Sequence, residues 1–181
     1  MTTGRLIIRP HNLADAEAMN RWANDQELCY CSDDQPGSAV PETIEETRRY
    51  LERVTTRPGN NIIRWGIHRA EDGLFIGFCM IAYIDRHNRR CKIGLTIGEK
   101  TAWGKGYGRE VLEAMIGHCF EVLDMNRIGA EIYAFNIRSI RLFKRAGFSR
   151  EGVIRQSVMK NDRYEDEYLY GLLRDEWRRE T

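Results

Sequence analysis

The sequence predicts a mixed α/β fold whose sheet is partly antiparallel, and three patterns lead to this prediction. Apolar residues recur at helical spacing across 109–123, between two apolar runs of strand length, Cys91–Gly98 and Arg127–Phe135. Because a helix joins these two strands, they should run parallel to each other. Two further runs, Phe148–Met159 and Tyr164–Leu173, are separated only by a short polar turn and predict an antiparallel hairpin.

The first half of the chain predicts one strand, two helices and a pair of strands. The run Arg5–Arg9 is a strand that Pro10 ends, since proline has no N–H to donate to a sheet. Asn12 is the expected N-cap of a helix over Leu13–Asn24, whose first turns carry acidic residues. The remaining elements are a polar loop over Asp33–Pro41, a helix from Pro41 to Val54, and the strands Ile62–Arg69 and Leu74–Ile84.

The second half places the central strand and its long helix before two shorter elements and the hairpin. A helix over Asn136–Ala146 follows the strand Arg127–Phe135, and Gly147 stands where a left-handed C-cap belongs. The predicted order is therefore β-α-α-β-β-β-α-β-α-β-β. No repeat or low-complexity tract interrupts it, so residues 1–181 are expected to form a single domain with a substantial core.

Composition argues against several classes of function. The 28 lysines and arginines nearly balance the 27 aspartates and glutamates, and a net charge of +1 gives no reason to expect a nucleic-acid partner. The longest apolar run, Leu74–Ile84, is shorter than the roughly 20 residues that span a membrane, and the first residues lack a signal-peptide core. Five cysteines without regular spacing indicate a reducing, cytoplasmic compartment. Cys29 and Cys31 have no second pair, so no metal is expected.

A glycine-rich loop connects the central strand to the long helix. Gly104, Gly106 and Gly108 are spaced every second residue, where the strand turns into a helix N-terminus. Unpaired N–H groups at such an N-terminus, with roughly half a positive charge from the helix macrodipole, attract anions. Glycine has no Cβ, so the backbone can approach a phosphate closely. The loop therefore predicts a site for a phosphate or pyrophosphate group.

Two common phosphate loops do not fit this sequence. A P-loop ends in Gly-Lys-Ser/Thr, but Lys105 is followed by Gly106, which has no hydroxyl for magnesium. The dinucleotide fingerprint needs a glycine three residues after Gly106, where Arg109 stands, and no convincing acidic ribose anchor follows. The pattern instead resembles the acyl-CoA loop of the GNAT N-acetyltransferase superfamily, Gln/Arg-x-x-Gly-x-Gly/Ala, with Trp103, Gly106 and Gly108 in its defined positions.

The resemblance extends over nearly the whole chain. Trp103 departs from the usual Gln or Arg, yet tryptophan followed by Gly-Lys-Gly-Tyr-Gly is similar to the RimJ/RimL-like branch. That branch also shows an Asn-x-x-Ser, Gly-Phe and Glu-Gly succession, often with an Asp in the last strand and a Glu-Trp near the end. The corresponding residues here are Asn136–Ser139, Gly147-Phe148, Glu151-Gly152, Asp166 and Glu176-Trp177. The predicted element order is likewise that of a GNAT-like fold.

The resemblance implies an acetyl-CoA-dependent N-acetyltransferase in which an amine attacks the thioester directly, in a ternary complex. It implies that main-chain groups of the central strand hold the pantetheine and polarise the carbonyl, where this strand and Arg127–Phe135 splay apart. Plain core packing of the same strand residues is compatible with that role. The implied cofactor-binding residues are Leu95, Thr96, Ile97, Trp103, Gly104, Lys105, Gly106, Tyr107, Gly108, Asn136 and Ser139.

Two interpretations apply to the residues that would serve the leaving thiolate. The family often has a tyrosine where this chain has Phe143, which has no proton to donate. RimL-like enzymes carry a serine at the position of Ser139, so the resemblance implies Ser139 as the acid. A serine three residues after Asn136 is equally an ordinary helix N-terminal hydroxyl. Asn136 itself is expected both to cap the helix and to contact the cofactor.

Transfer to an amine also requires a neutral nucleophile. An α-amino group, with a pKa of about 7.7–8.0, is partly neutral at pH 7, whereas a lysine-type amine, at about 10.4, needs a proton acceptor. Some RimL-like enzymes place a glutamate on the strand after Glu-Gly, but the stretch here is Gln156-Ser157-Val158. Glu99, just before the loop, is the candidate catalytic base, acting through water, or else a solvated strand-end carboxylate. Glu131 faces either the sheet interior or the solvent.

Acceptor specificity is expected in the first two helices and the late hairpin. Three acidic residues could attract a cationic amine, or they are solvated loop residues. Three aromatic residues could line the acceptor pocket, or they only pack in the core. His87 is expected to be exposed in its turn. The acidic residues are Glu27, Asp33 and Asp34, and the aromatic residues are Tyr30, Trp65 and Tyr83.

Two functions of different classes follow from these residues. The first is an N-acetyltransferase, monomeric or homodimeric, whose acceptor is a protein N-terminal α-amine or else a polyamine, an amino sugar or another small amine. The second is a non-catalytic acyl-CoA-binding module that senses or regulates. Phe143 and the absence of an acidic residue near Val158 favour the module, whereas the intact loop and the absence of a partner domain favour the enzyme.

Overall fold

A computed structural model of the chain describes residues 1–31, 41–57 and 59–177. The predicted mixed α/β class is confirmed, and every predicted strand is present. The predicted loop residues Asp33 and Asp34 lie outside the described residues. The strands are β1 (Leu6–Arg9), β2 (Ile63–Arg69), β3 (Phe75–Asp85), β4 (Arg90–Ile97), β5 (Arg127–Tyr133), β6 (Ser149–Lys160) and β7 (Arg163–Leu173). The α-helices are α1 (Ala16–Ala23), α2 (Gln26–Cys31), α3 (Ile44–Thr56), α4 (Tyr107–Gly117) and α5 (Ile137–Arg145).

The seven strands are ordered β1-β2-β3-β4-β5-β7-β6 in one sheet. Strands β4 and β5 pair in parallel, as the crossover helix between them requires, whereas β1 with β2, β5 with β7, and β6 with β7 are antiparallel. The chain divides into two compact units. The first unit comprises Met1–Met80 and Leu95–Tyr107, and the second comprises Ile81–Gly94 and Gly108–Thr181.

The helices of the first unit begin at side-chain caps. Asn12 accepts a hydrogen bond from the Ala14 N–H and precedes a 3-10 turn that leads into α1. Thr43 caps α3 in a capping box with Glu46, so this helix begins three residues later than the predicted start at Pro41. Helix α2 was not predicted. Asp25 stabilises its first turn by accepting hydrogen bonds from the N–H groups of Glu27 and Leu28.

The core of the first unit brings two aromatic rings together at the end of β4. Trp22 and Phe75 lie with their ring centroids 4.8 Å apart, and Leu28 packs with them. A Cβ added to Gly98 would overlap the Trp22 indole, so glycine is what allows the indole to lie against the backbone there.

The second unit holds the long helix and the C-terminal hairpin. The predicted helix over 109–123 is continuous, but its α-helical part ends at Gly117 and a π-helix covers His118–Val122. Its apolar residues Val111, Leu112, Met115, Ile116, Cys119 and Phe120 are buried. Both turn residues between β6 and β7, Asn161 and Asp162, have left-handed backbones, with φ of 49° and 59°, as a two-residue hairpin turn requires.

Candidate functional site

The glycine loop of the first unit exposes its backbone. Gly104 and Gly106 are left-handed, with φ of +75° and +84°, a conformation that other residues adopt only at a cost. A Cβ built on Gly104 would have no atom within 4 Å, and one built on Gly106 would meet only the Nη2 of Arg5, at 3.5 Å. Helix α4 begins directly at Tyr107, so its first N–H groups continue this open backbone. The loop therefore leaves open the space that a side chain would occupy, so a phosphate could approach its backbone there.

Arg5 supplies a positive charge to this loop. Its Nη1 donates a hydrogen bond to the Lys105 carbonyl at 2.9 Å, and its guanidinium carbon lies 4.7 Å from the centroid of the Tyr107 ring. The side chain is exposed to solvent. The sequence pattern assigned Arg5 only to the first strand. Its partner is 100 residues away, and no local pattern indicates a contact of that separation.

Trp103 links the loop to the end of β4. Its indole Nε1 donates to the Ile97 carbonyl at 2.7 Å, and its ring packs against the cluster of Trp22, Leu28 and Phe75. A Gln or Arg at this position would lack that apolar packing. The departure from the usual family residue thus has a physical explanation, because tryptophan supplies the hydrogen-bond donor and also covers the core.

The parallel ladder between β4 and β5 is short. It pairs three residues, Arg90 to Lys92 with Arg127 to Gly129, although β4 continues to Ile97 and β5 to Tyr133. The predicted pantetheine contacts Leu95, Thr96 and Ile97 lie in the part of β4 beyond this ladder and are half-buried.

The predicted base, Glu99, is engaged by neighbouring side chains. Its carboxylate accepts the hydroxyl of Thr101 at 3.0 Å and lies 3.3 Å from Nη2 of Arg21. It also accepts the Thr101 N–H at 3.4 Å and so caps the 3-10 turn over Lys100–Ala102, which is the structural role of a strand-end carboxylate. Glu27, considered above for acceptor binding, lies 3.1 Å from the Lys100 ammonium, which also binds Asp25 at 2.7 Å.

The remaining predicted residues lie in the second unit. Asn136 is the N-cap of α5, because its side-chain oxygen accepts the Ser139 N–H at 3.1 Å, and Ser139 is half-buried. Gly108 is the second residue of α4. Phe143 belongs to the core, with its ring edge-to-face against Phe148 at 5.0 Å. Glu131 is exposed and forms an ion pair with Lys92, which decides its orientation in favour of the solvent.

A separate buried polar cluster surrounds Asp15 in the first unit. Its carboxylate accepts the Asn12 N–H at 3.1 Å, hydrogen-bonds His11 at 3.2 Å and lies 3.8 Å from Nε2 of His68, with Arg9 at 3.7 Å. Burial raises the pKa of Asp15, but the hydrogen bonds from His11 and Asn12 and the charges of the histidines outweigh it, and the pKa lies below its usual value. Burial and the charge of Arg9 lower the pKa of His68, despite the nearby Asp15.

Two features are absent from the described ranges. No helix there combines the length and the apolar character that crossing a membrane demands. Within the same ranges, no group of three or more His, Cys, Asp or Glu side chains is arranged to hold a metal ion.

Comparison with known proteins places this geometry in a family. The family model described as an acetyltransferase (GNAT) domain matches residues 5–149. The uncharacterised N-acetyltransferase p20 of Bacillus licheniformis is 29% identical over 175 residues, which cover 97% of this chain and 96% of the relative. The ribosomal protein uS5-alanine N-acetyltransferase of Escherichia coli (strain K12) is 27% identical over 192 residues, covering 98% of this chain and 92% of the relative.

A solved structure has the same fold as this chain. Spermidine N-acetyltransferase from Vibrio cholerae, in complex with CoA and spermine, aligns with a TM-score of 0.84 at 19% identity, covering 96% of this chain and 98% of that chain. At this identity the likeness concerns the fold alone. The family model, which matches well over half of the chain, goes further: the protein is an enzyme of the GNAT acetyltransferase family.

Proposed function

We propose that the protein transfers an acetyl group from acetyl-CoA to a primary amine, with a protein N-terminal α-amine as the favoured acceptor. The observation that carries the proposal is the open glycine loop, in which left-handed Gly104 and Gly106 present bare backbone beside the Arg5 guanidinium. This surface suits the pyrophosphate of CoA, since backbone N–H groups, the start of α4 and a cation all favour a bound anion. The predicted loop residues 103–108 fill this role.

The acyl end of the donor is assigned to main-chain groups of β4 and to α5. Leu95, Thr96 and Ile97 lie beyond the last ladder pair with β5, where main-chain groups suit a pantetheine amide and a polarised carbonyl. Asn136 fixes the start of α5, and Ser139 stands in its first turn as the group that protonates the departing thiolate. In the reaction the amine nitrogen forms a bond to the carbonyl carbon, the C–S bond breaks, and the sulfur takes a proton.

The proposed acceptor amine is inferred from the relatives of this chain. A ribosomal protein alanine N-acetyltransferase aligns along nearly the whole chain, which favours an α-amine. A polyamine remains the second candidate, because the fold is shared with a spermidine N-acetyltransferase. Cytoplasmic location, a single-domain organisation and a monomeric or homodimeric state belong to the same proposal.

The test is mass-spectrometric detection of acetylated product from acetyl-CoA and a panel of peptides with free N-termini, polyamines and amino sugars. One acetylated acceptor supports the proposal and identifies the substrate class. Acetyl-CoA binding without any product across the panel supports the non-catalytic alternative instead. Gly106→Asp should abolish CoA binding, since it places a carboxylate where the phosphate would lie, whereas Ser139→Ala should slow turnover and leave CoA binding intact. A Ser139→Ala variant with full activity would exclude Ser139 as the acid.

A further inference from the structure

The segment that joins the end of β4 to the glycine loop is closed on itself by hydrogen bonds. The Trp103 indole Nε1 donates to the carbonyl of Ile97, the last residue of β4, at 2.7 Å. Within the segment, the Ala102 N–H donates to the Glu99 carbonyl at 2.9 Å, and the Trp103 N–H donates to the Lys100 carbonyl at 3.1 Å. These bonds fix the separation between the end of β4 and the start of the loop.

Packing holds the Trp103 ring in the orientation that this hydrogen bond requires. The ring is half-buried and packs against the cluster of Trp22, Leu28 and Phe75. The Lys100 ammonium lies 5.8 Å from the centroid of the same ring. Because these contacts already restrict the indole, its hydrogen bond to β4 costs little additional side-chain entropy.

The backbone beside this hydrogen bond is also held by the core of the first unit. Gly98 follows Ile97, and a Cβ added to Gly98 would overlap the Trp22 indole, so the backbone lies directly against that ring. The next residue, Glu99, donates its N–H to the Ile76 carbonyl of β3 at 3.1 Å. The end of β4 therefore cannot move toward or away from the glycine loop without breaking contacts on both sides.

The two ends of this held segment are the two parts of the first unit that the proposed function assigns to the donor. Leu95–Ile97 are assigned to the pantetheine, and the bare backbone of Gly104 and Gly106 is assigned to the pyrophosphate. CoA carries both groups in one molecule, so it engages both only where their separation in the protein matches their separation in CoA. A fixed, matching separation raises affinity because less freedom is lost on binding.

We propose that Trp103 determines donor selectivity, by fixing the separation of these two segments so that intact acetyl-CoA is preferred over a shorter thioester such as S-acetylpantetheine. The inference rests on the acetyltransferase function proposed above. Trp103 is here a positioning residue, since its indole acts through the Ile97 carbonyl and the backbone of the loop. S-acetylpantetheine has no pyrophosphate and engages only β4, so it gains nothing from the fixed separation.

The test compares the wild-type protein with Trp103→Phe, which keeps an aromatic ring against the cluster and removes the N–H that bonds the Ile97 carbonyl. The measured quantity is kcat/KM for acetyl-CoA and for S-acetylpantetheine, with an acceptor amine that the wild type acetylates. We expect kcat/KM for acetyl-CoA to fall about 3–10-fold, the size of one net hydrogen bond, through KM rather than kcat. The value for S-acetylpantetheine should not change. Calorimetry should show the same weakening for CoA and none for pantetheine.

Hydrogen exchange of the protein without donor provides a readout that does not depend on activity. The Ala102 and Trp103 amides are bonded within the turn, and without the indole bond this turn should open more often. Both amides should therefore exchange faster in Trp103→Phe than in the wild type, whereas the amides of β5 in the second unit should not change. Saturating CoA should slow the exchange of both amides again, because it binds the closed form.

Trp177→Phe is the matched control. Trp177 is a half-buried tryptophan of the second unit, and its ring centroid lies 5.3 Å from that of Phe120. The same change of side chain at this position should leave the ratio of the two kcat/KM values at its wild-type value. An equal change of the ratio in Trp177→Phe would overturn the inference, since the loss of any indole would then be sufficient.

The outcomes distinguish this inference from the proposed function. An unchanged ratio in Trp103→Phe, or equal losses with both thioesters, overturns the inference and leaves the acetyltransferase intact. If the wild type binds CoA but acetylates no amine, the proposed transfer fails, and calorimetry still decides the inference: an unchanged dissociation constant for CoA in Trp103→Phe overturns it. If the wild type does not bind CoA, both the proposed function and the inference fail.

Discussion

Replacing Gly106 by alanine adds one methyl group to the glycine loop at its most constrained residue. At a φ of +84° an L-residue costs about 1–2 kcal/mol relative to its usual conformations. The added carbon would lie 3.5 Å from Nη2 of Arg5, an ordinary van der Waals contact, so no overlap adds to this cost. Alanine also lowers the conformational entropy of the unfolded chain, which stabilises the folded protein by about 0.4–1 kcal/mol and offsets part of this cost. The free energy of unfolding should therefore fall by only about 1 kcal/mol.

CoA binding should respond more strongly than stability. The methyl group occupies the open side of the loop, where the backbone must approach the pyrophosphate, so the dissociation constant for CoA should rise at least about tenfold, or 1.4 kcal/mol. Pantetheine has no pyrophosphate, and its binding should stay the same. Isothermal titration calorimetry with both ligands measures the two effects separately.

Gly73 provides the matched control for this experiment. It lies in the turn between β2 and β3 with a φ of +72°, and a Cβ built on it would have no atom within 4 Å. Gly73→Ala should thus lose about as much stability as Gly106→Ala, for the same conformational reason, yet bind CoA like the wild type. A Gly106→Ala protein that binds CoA normally, or that loses CoA and pantetheine binding equally, would refute the assignment of the loop to the pyrophosphate.

Three further predictions concern single residues. Arg5→Gln should raise the dissociation constant for CoA about 5–30-fold by calorimetry, because it removes a charge and a hydrogen bond together worth about 1–2 kcal/mol; an unchanged constant contradicts it. Gly98→Ala should destabilise the protein by about 1–3 kcal/mol in denaturant unfolding, because the new Cβ overlaps Trp22; a neutral effect would show that the indole moves freely. The pKa of His68 is lowered in the folded protein, so the unfolded chain binds more protons below about pH 6.5 and stability should fall as the pH drops from 7 to 5.5. His68→Gln should reduce that fall, measured by denaturant unfolding at both pH values, whereas His87→Gln, at an exposed turn, should leave it unchanged.

The fold was predictable where one local pattern determined each element. The parallel pairing of β4 with β5 followed from the helix between them, and the hairpin turn at Asn161-Asp162 followed from its residue types. The short helix α2 was missed because its six residues carry only two buried side chains, too few for a helical period. The π-helix after α4 was missed because its apolar residues continue the spacing of the helix before it.

The candidate site was predictable only in part. The glycine loop and the Asn136 cap each consist of residues that lie close together in the chain, so a local pattern indicated each of them. Arg5 reaches the glycine loop through a hydrogen bond that joins distant segments, which no local pattern encodes. Glu99 was predicted as the base or else as a strand-end carboxylate, and its contacts with Thr101 and Arg21 could not be predicted, because the Arg21 contact joins segments far apart in the chain.

The π-helix over His118–Val122 has a consequence for how relatives of this chain are aligned. The Leu123 N–H donates to the His118 carbonyl at 3.0 Å, five residues earlier, so this turn contains one residue more than an α-helical turn. A relative with an uninterrupted α-helix here would lack that residue and still keep the buried face of the helix. A single-residue gap within 118–122 in an alignment therefore marks a change of helix type inside a continuous helix, and a gap moved into the adjoining loop would misplace every residue between the two positions.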